Sequence, residues 1–229
     1  MRPVNKGTAP NTYTHYRDAT DDLISQIGDY CCYCERQIET HLAVEHVLPK
    51  SINSALINSW SNFLLACVNC NSCKGKKRVN LNSYFWPDID NTENIFVYKE
   101  GGIIEINNSL SPKNKKIAER TMKLVGLHKY PGSTERGGTP STRDKRWKNR
   151  QELWGIAKEQ KNKLNIADSI QLREAIVSNA LGRGGFSIWM TVFSDDKDIK
   201  QRFINAFIGT AEDCFDTDTN PIPRPGGKI

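Results

Sequence analysis

The chain has 229 residues, of which 38% are hydrophobic and 25% charged, and it carries a formal net charge of +6 at pH 7. That balance describes a globular protein of one compact unit plus an appendage, because domains usually run to roughly 100 to 200 residues. It excludes a membrane-spanning chain, since no window approaches the roughly 18 consecutive apolar residues that a spanning helix needs, and the basic surplus permits a polyanionic partner without demanding one.

The opening MRPVNKGTAPNTYTHYRD has basic residues but no apolar stretch of a leader type, which predicts a cytoplasmic protein. From 18 to 28, Ala19, Leu23, Ile24 and Ile27 recur at helical spacing before Gly28, predicting a short amphipathic helix. The apolar runs Leu42-Ala43-Val44 and Phe63-Leu64-Leu65-Ala66 predict two short strands, a small hairpin within the cysteine-rich stretch from Tyr30 to about Lys77. Ile95–Tyr98 and Ile103–Ile106 flank Lys99-Glu100-Gly101-Gly102, a second two-strand signal. Residues 112 to 126 read as a helix stopped by Gly126. PGSTERGGTPSTRD, 131 to 144, predicts a linker or mobile loop. Beyond it, the segments around 145–164, 169–181 and 196–208 have helical periodicity, with an apolar strip from Phe186 to Phe193 that is either core or a partner surface. The closing NPIPRPGGKI predicts an extended or disordered tail.

Six of the seven cysteines fall in two clusters, Cys31, Cys32, Cys34 and Cys67, Cys70, Cys73. Cys31-x-x-Cys34 and Cys67-x-x-Cys70 are two knuckles of the kind that close a tetrahedral four-thiolate site around a structural zinc, with no position left open for water. Cys70-x-x-Cys73 has the same spacing, so the register is open from spacing alone; Cys32 and Cys73 are read as free thiols.

Between the knuckles lies VEHVLPK, residues 44 to 50, followed by WSNFLLACVNCNSCK, residues 60 to 74. An acidic residue, His and Pro, then Asn before an apolar run, then Cys-x-x-Cys-Asn-x-x-Lys resembles the HNH endonuclease family and its ββα-metal fold over residues 30 to 78. The expected fold class is α+β: an HNH core with a four-cysteine zinc site, within a nuclease domain of residues 1–130, then the 131–144 linker and a mostly helical region from 145 to 229. The resemblance implies His46 as general base, Glu45 and Asn71 as ligands of a catalytic Mg²⁺ or Mn²⁺, and Asn62 as the side chain that holds the hairpin loop. Chemistry agrees with those residue types, because imidazole accepts a proton near pH 7 and carboxylate and amide oxygens suit a hard cation. Lys74, one turn after Asn71, is expected to compensate phosphate charge, and Lys76, Lys77 and Arg78 to extend a basic track along the nucleic-acid backbone.

The opening MRPVNKG and the run YCCYCERQI, together with VEHVLPK and WSNFLLACVNCNSCKG, further resemble the PtuB-type HNH proteins of Septu and retron-associated anti-phage systems, from the N-terminus to about residue 127 with weaker similarity in FSIWMTVF. This implies a bacterial defence effector working with a PtuA-like ATPase and, in the retron setting, with a reverse transcriptase and its nucleic acid. DNA is the favoured substrate; RNA such as tRNA is the nearest rival, and a zinc-stapled binding module without catalysis is a third reading. His15, His41 and His128 lack any partner pattern, and Trp60, Trp86, Asp88 and Asp90 are read as packing or turn residues. Residues 143 to 163 hold eight Lys or Arg against three acids, with Trp147 and Trp154 on one helix face. That pattern suits a nucleic-acid clamp or a docked helix with a solvated basic face equally well.

Overall fold

The computed structural model describes residues 1–40 and 42–229, so His41 lies outside the described residues. The predicted elements form where the patterns put them. Helix α1, Thr20–Ile27, buries Leu23 and Ile27 and ends at Gly28, whose φ of 74° suits glycine. Strands β1, Ala43–His46, and β2, Phe63–Ala66, pair antiparallel with His46 opposite Phe63 and Glu45 opposite Leu64. All four residues of β2 are buried, because α1 packs on the hairpin and the first cysteine knuckle lies along the strand. Helix α2, Val68–Lys74, follows at once and completes a ββα unit.

A second hairpin, β3 (Phe96–Lys99) and β4 (Ile103–Ile106), turns through Gly101 and Gly102. Gly102, at φ +74°, is required by close approach: a Cβ there would lie 2.1 Å from the carbonyl oxygen of Trp147. Helix α3 is Pro112–Val125, capped at its start by the Ser111 hydroxyl, with Pro112 in the first turn. The C-terminal region is helical: α4 (Arg146–Ile166), α5 (Ile170–Leu181), α6 (Phe186–Val192) and α7 (Lys197–Ala206). The strip from Phe186 to Phe193 is core, with Phe186, Trp189 and Phe193 wholly buried.

Two expectations are corrected by the packing. One hydrophobic cluster runs from Met1 and Leu23 through Phe63–Ala66 to Trp189, Phe203 and Ile229, so the 131–144 segment separates helices but not cores. Its end is anchored by Asp144, which forks onto Arg146 at 2.7 Å. The tail, expected to be extended or disordered, is docked: Asn91 Nδ2 donates to Ile222 O at 2.6 Å, Asn91 N to Ile229 O at 3.0 Å, and Lys228 N to Asp90 Oδ1 at 2.7 Å. Polar anchors, which leave no apolar periodicity in the sequence, fix this segment.

Trp147 and Trp154 are both half-buried, and two of the basic residues around them, Arg146 and Arg150, point inward. Lys148, Lys158, Lys161 and Lys163 pair with Glu152, Glu100, Asp195 and Glu159. The charge of α4 is thus largely committed within the chain, which favours the docked-helix reading over the clamp.

Candidate active site

The zinc knuckles come first, because they set the frame. Cys31 and Cys34 are joined by a tight turn in which Glu35 N donates to Cys31 O at 2.8 Å, and Cys32 N ties the turn to β2 through Leu65 O at 2.9 Å. Cys67 is the residue before α2, and its sulfur accepts from Cys70 N at 3.4 Å. The four Sγ atoms of Cys31, Cys34, Cys67 and Cys70 lie within 4.8 Å of one another, all buried, with Cys34 and Cys67 3.7 Å apart. Four thiolates at about 2.3 Å from a tetrahedral zinc stand about 3.8 Å apart, so the cluster fits the ion. Cys73 lies outside it, its sulfur 3.7 Å from both Lys129 Nζ and Arg146 Nη2, which settles the register left open by the spacing. Burial pushes the Cys31 and Cys70 thiols up, and Cys32, also buried, up to about 12. A zinc ion would strip the ligand protons, leaving a doubly negative tetrathiolate. Arg146, 3% exposed, stands ready to offset it: Nη1 donates to Cys70 Sγ at 3.0 Å while Asp144 holds the other edge of the guanidinium.

Glu35 closes the first knuckle in a left-handed conformation, φ 60°, which a residue other than glycine adopts only when its side chain is held. It is held on all sides. Its carboxylate accepts from Arg2 N at 2.6 Å, Ser187 N at 2.8 Å and Ser187 Oγ at 2.5 Å, and faces the Met1 ammonium at 3.1 Å. Burial alone would raise the Glu35 carboxyl; the ammonium and the serine outweigh it and hold it below the usual value. The knuckle is thereby fastened to α6.

Glu45 and His46 end β1. Neighbours on a strand point to opposite faces, yet both line one cavity of about 770 Å³ with Asn71, because the strand stops at His46 and the chain turns away towards Pro49. The imidazole sits edge-on between Tyr16 and Phe63, with centroids 4.9 and 5.4 Å away. His46 Nε2 lies 2.8 Å from the carbonyl of Ile57. A carbonyl only accepts, so Nε2 carries the proton and Nδ1 keeps the lone pair. Burial lowers the pKa of His46, partly offset by that carbonyl, which keeps the ring neutral and basic at pH 7.

Asn62 is 3% exposed and grips the loop after β1 from both sides: Oδ1 accepts from Leu48 N at 2.7 Å, and Nδ2 donates to Leu48 O at 3.0 Å and Leu56 O at 3.3 Å. The Ile57 carbonyl that orients His46 is the next residue. Asn71 faces the cavity half-buried, one turn into α2. Lys76, Lys77 and Arg78 are exposed beyond the end of α2, with Lys77 Nζ turned back to Cys73 O at 2.6 Å.

Lys74 departs from expectation. It is 1% exposed, and its ammonium lies 2.5 Å from Glu45 Oε1 and 2.5 Å from His46 O. Its ammonium is therefore committed to the two strand residues, at the wall of the cavity it lines with them, instead of standing free for a phosphate; a buried Glu45 demands a counter-charge and α2 delivers this one. Tyr33, wholly buried, donates to Glu45 Oε2 at 2.7 Å and completes the hold. Glu45 and Asn71 offer hard oxygen donors in one cavity, as a divalent cation needs, with remaining positions open to water and phosphate. Both are the right donor chemistry, but the two Glu45 oxygens are engaged by Lys74 and Tyr33, so an ion bound there would share the carboxylate with the Lys74 ammonium or displace it.

Tyr33, Tyr16, the Ile57 carbonyl, Glu35 and Arg146 were not singled out by sequence reasoning. Tyr33 lay inside the first knuckle, where its position was fixed by Cys31 and Cys34, so a signal existed; Arg146 reaches the zinc site only through tertiary folding. No curated protein matches the chain. Residues 31–77, which hold both knuckles, the hairpin and α2, match the family model described as HNH endonuclease. This segment is an HNH endonuclease domain, and the protein carrying it is a nuclease, a hydrolase of nucleic-acid phosphodiester bonds.

Proposed function

We propose that the protein is an endonuclease in which His46 is the general base, with DNA as its substrate. One observation supports this reading above others: the Ile57 carbonyl fixes the proton on Nε2, so the basic Nδ1 of His46 is the nitrogen available in the cavity it shares with Glu45 and Asn71. In the hydrolysis, Nδ1 takes a proton from water as its oxygen bonds to phosphorus. The bond from phosphorus to O3′ then breaks, and the departing oxygen takes a proton from solvent, leaving a 5′-phosphate and a 3′-hydroxyl. Glu45 and Asn71 would hold a Mg²⁺ or Mn²⁺, which supplies charge neutralisation for the phosphate. Asn62 positions the loop that orients His46, and Lys50, Lys76 and the neighbouring Lys77 and Arg78 line the cavity mouth or extend from it as basic contacts for the backbone. Lys74 maintains Glu45 and the end of β1 rather than touching substrate. Plasmid nicking and tRNA cleavage with Mg²⁺ or Mn²⁺, compared with His46→Ala, test the assignment. Cleavage of plasmid that vanishes in the variant is expected, tRNA cleavage alone would transfer the reading to RNA, and unchanged cleavage by His46→Ala would overturn it.

The resemblance to PtuB-type proteins, from the N-terminus to about residue 127, supports a defence role beside a PtuA-like ATPase, with a retron reverse transcriptase and its nucleic acid as further partners in that setting. Co-expression with such an ATPase and phage challenge, with and without His46→Ala, is the test; protection that survives the substitution would remove the nuclease from that role.

A further inference from the structure

A second cavity, of about 470 Å³, opens on the other side of the zinc knuckle, between residues 34–40 and helices α4 and α6. It shares no lining residue with the nuclease cavity. Four arginines reach it: Arg36, Arg146, Arg150 and Arg183. Arg146 is accounted for by Asp144 and Cys70. None of the other three has a carboxylate partner among the described residues. Arg150 is 5% exposed and donates only to the carbonyls of Gly102, at 2.8 Å, and Lys129, at 3.5 Å. The Nε of Arg36 is buried with no partner, and Arg183 stands exposed at the rim.

The carboxylates on the same wall do not repair the imbalance. Glu35 is taken up by Met1, Arg2 and Ser187, and Glu152 pairs with Lys148, which leaves Glu39. Burying a guanidinium without a counter-charge is costly, and burial indeed pulls the pKa of Arg150 down. An anion entering the cavity would meet the guanidinium groups of Arg36 and Arg150, both among the lining residues and neither paired with a carboxylate among the described residues. Arginine forks match phosphate oxygens in pairs, and phosphates are the anions they hold best. The volume exceeds what inorganic phosphate fills and lies within the range of small-molecule sites, and Leu153, Ile156 and Ile188 add an apolar wall for a ring.

We propose that this cavity is a binding site for a nucleotide, whose phosphates are held by Arg36, Arg150 and Arg183 and whose ring lies against Leu153, Ile156 and Ile188. The site is separate from the nuclease centre and does not depend on the assignment of His46. The shared chemistry, a nucleotide phosphate, has two sources: free nucleotide and the phosphorylated end of a strand.

The test is calorimetric titration of the zinc-loaded full chain without added divalent cation, using ADP, the 5′-phosphorylated dinucleotide pTpT, pyrophosphate and adenosine. ADP or pTpT is expected to bind once per chain with Kd on the order of 10 to 100 μM, the tighter of the two identifying the source, and adenosine at least tenfold more weakly. Arg183→Glu, at an exposed rim position, is expected to weaken binding at least tenfold with an unchanged melting temperature, and Arg36→Met to do likewise. The double variant Lys76→Glu/Lys77→Glu at the nuclease site is expected to bind as the parent does. Absence of binding of both ADP and pTpT at about 5 mM, binding by Arg183→Glu and Arg36→Met as tight as the parent's, or loss of binding in the lysine variant instead would each overturn the proposal.

Discussion

Replacing Lys74 by Met tests the reading that this residue is an internal counter-ion for Glu45. Both side chains of the pair are 1% exposed and their charged atoms lie 2.5 Å apart, so neither charge has water to fall back on. Removing one member of such a pair costs about 3–5 kcal/mol, because the other is left buried and uncompensated. The carbonyl of His46 also loses its donor, worth roughly 1 kcal/mol more. Glu45→Gln strands the ammonium in the same way. With both changes no net charge is buried, so the double variant should be more stable than the sum of the single losses by about 2–3 kcal/mol. Urea unfolding of the zinc-loaded protein, followed by circular dichroism and tryptophan fluorescence, measures all four corners of the cycle. Losses that add to within about 0.5 kcal/mol would refute the pairing. A second measurement uses Mn²⁺. An ion held by Glu45 takes over the missing compensation in Lys74→Met, so saturating Mn²⁺ should raise the melting temperature of that variant more than that of the parent. Binding at about 100 times Kd is worth about 2.7 kcal/mol to a state that binds. Equal shifts in the two proteins would show that Lys74 and the ion do not share Glu45.

The zinc register is checked by metal content: the parent and Cys73→Ser should each hold one zinc per chain, Cys70→Ser should lose it, and a strong chelator should unfold the parent, whereas zinc retained by Cys70→Ser would contradict the four-sulfur cluster. Asn62→Ala removes three hydrogen bonds from the loop that orients His46, so it should cost about 1–3 kcal/mol and lower kcat with KM little changed; a change in KM alone would place Asn62 on the substrate instead. The pH dependence follows from burial, which lowers the pKa of both His46 and His128 below the ordinary 6.5. The unfolded chain binds protons before the folded one does, so stability holds above about pH 6.5 and is lost as pH falls from there through the folded-state values. Cleavage should show an acid limb below about pH 6.5 as His46 protonates, and a limb above that value would exclude His46 as the titrating base.

Much of this fold was written locally. The elements of the ββα unit, the second hairpin and α3 follow from short-range periodicity and from glycine stops, since alternation and helical spacing are properties of neighbouring residues. The same holds for the order Cys31, Cys34, Glu45, His46, Asn62, Cys67, Cys70, Asn71, which brings two strands and a helix onto one zinc frame because the connections are short. What the chain order could not give is the direction of a side chain once strands twist and helices dock. Lys74 has the sequence neighbourhood of a phosphate contact, yet its turn of α2 faces the buried Glu45, and the need to neutralise that carboxylate decides where the ammonium goes. The docked tail, the arginine that reaches Cys70 from α4, and the serine of α6 that holds Glu35 depend on contacts between residues far apart in sequence. Local pattern determined the nuclease motif and its zinc frame; burial of charge, which is satisfied only after the whole chain packs into one core, decided how each ionised side chain is used.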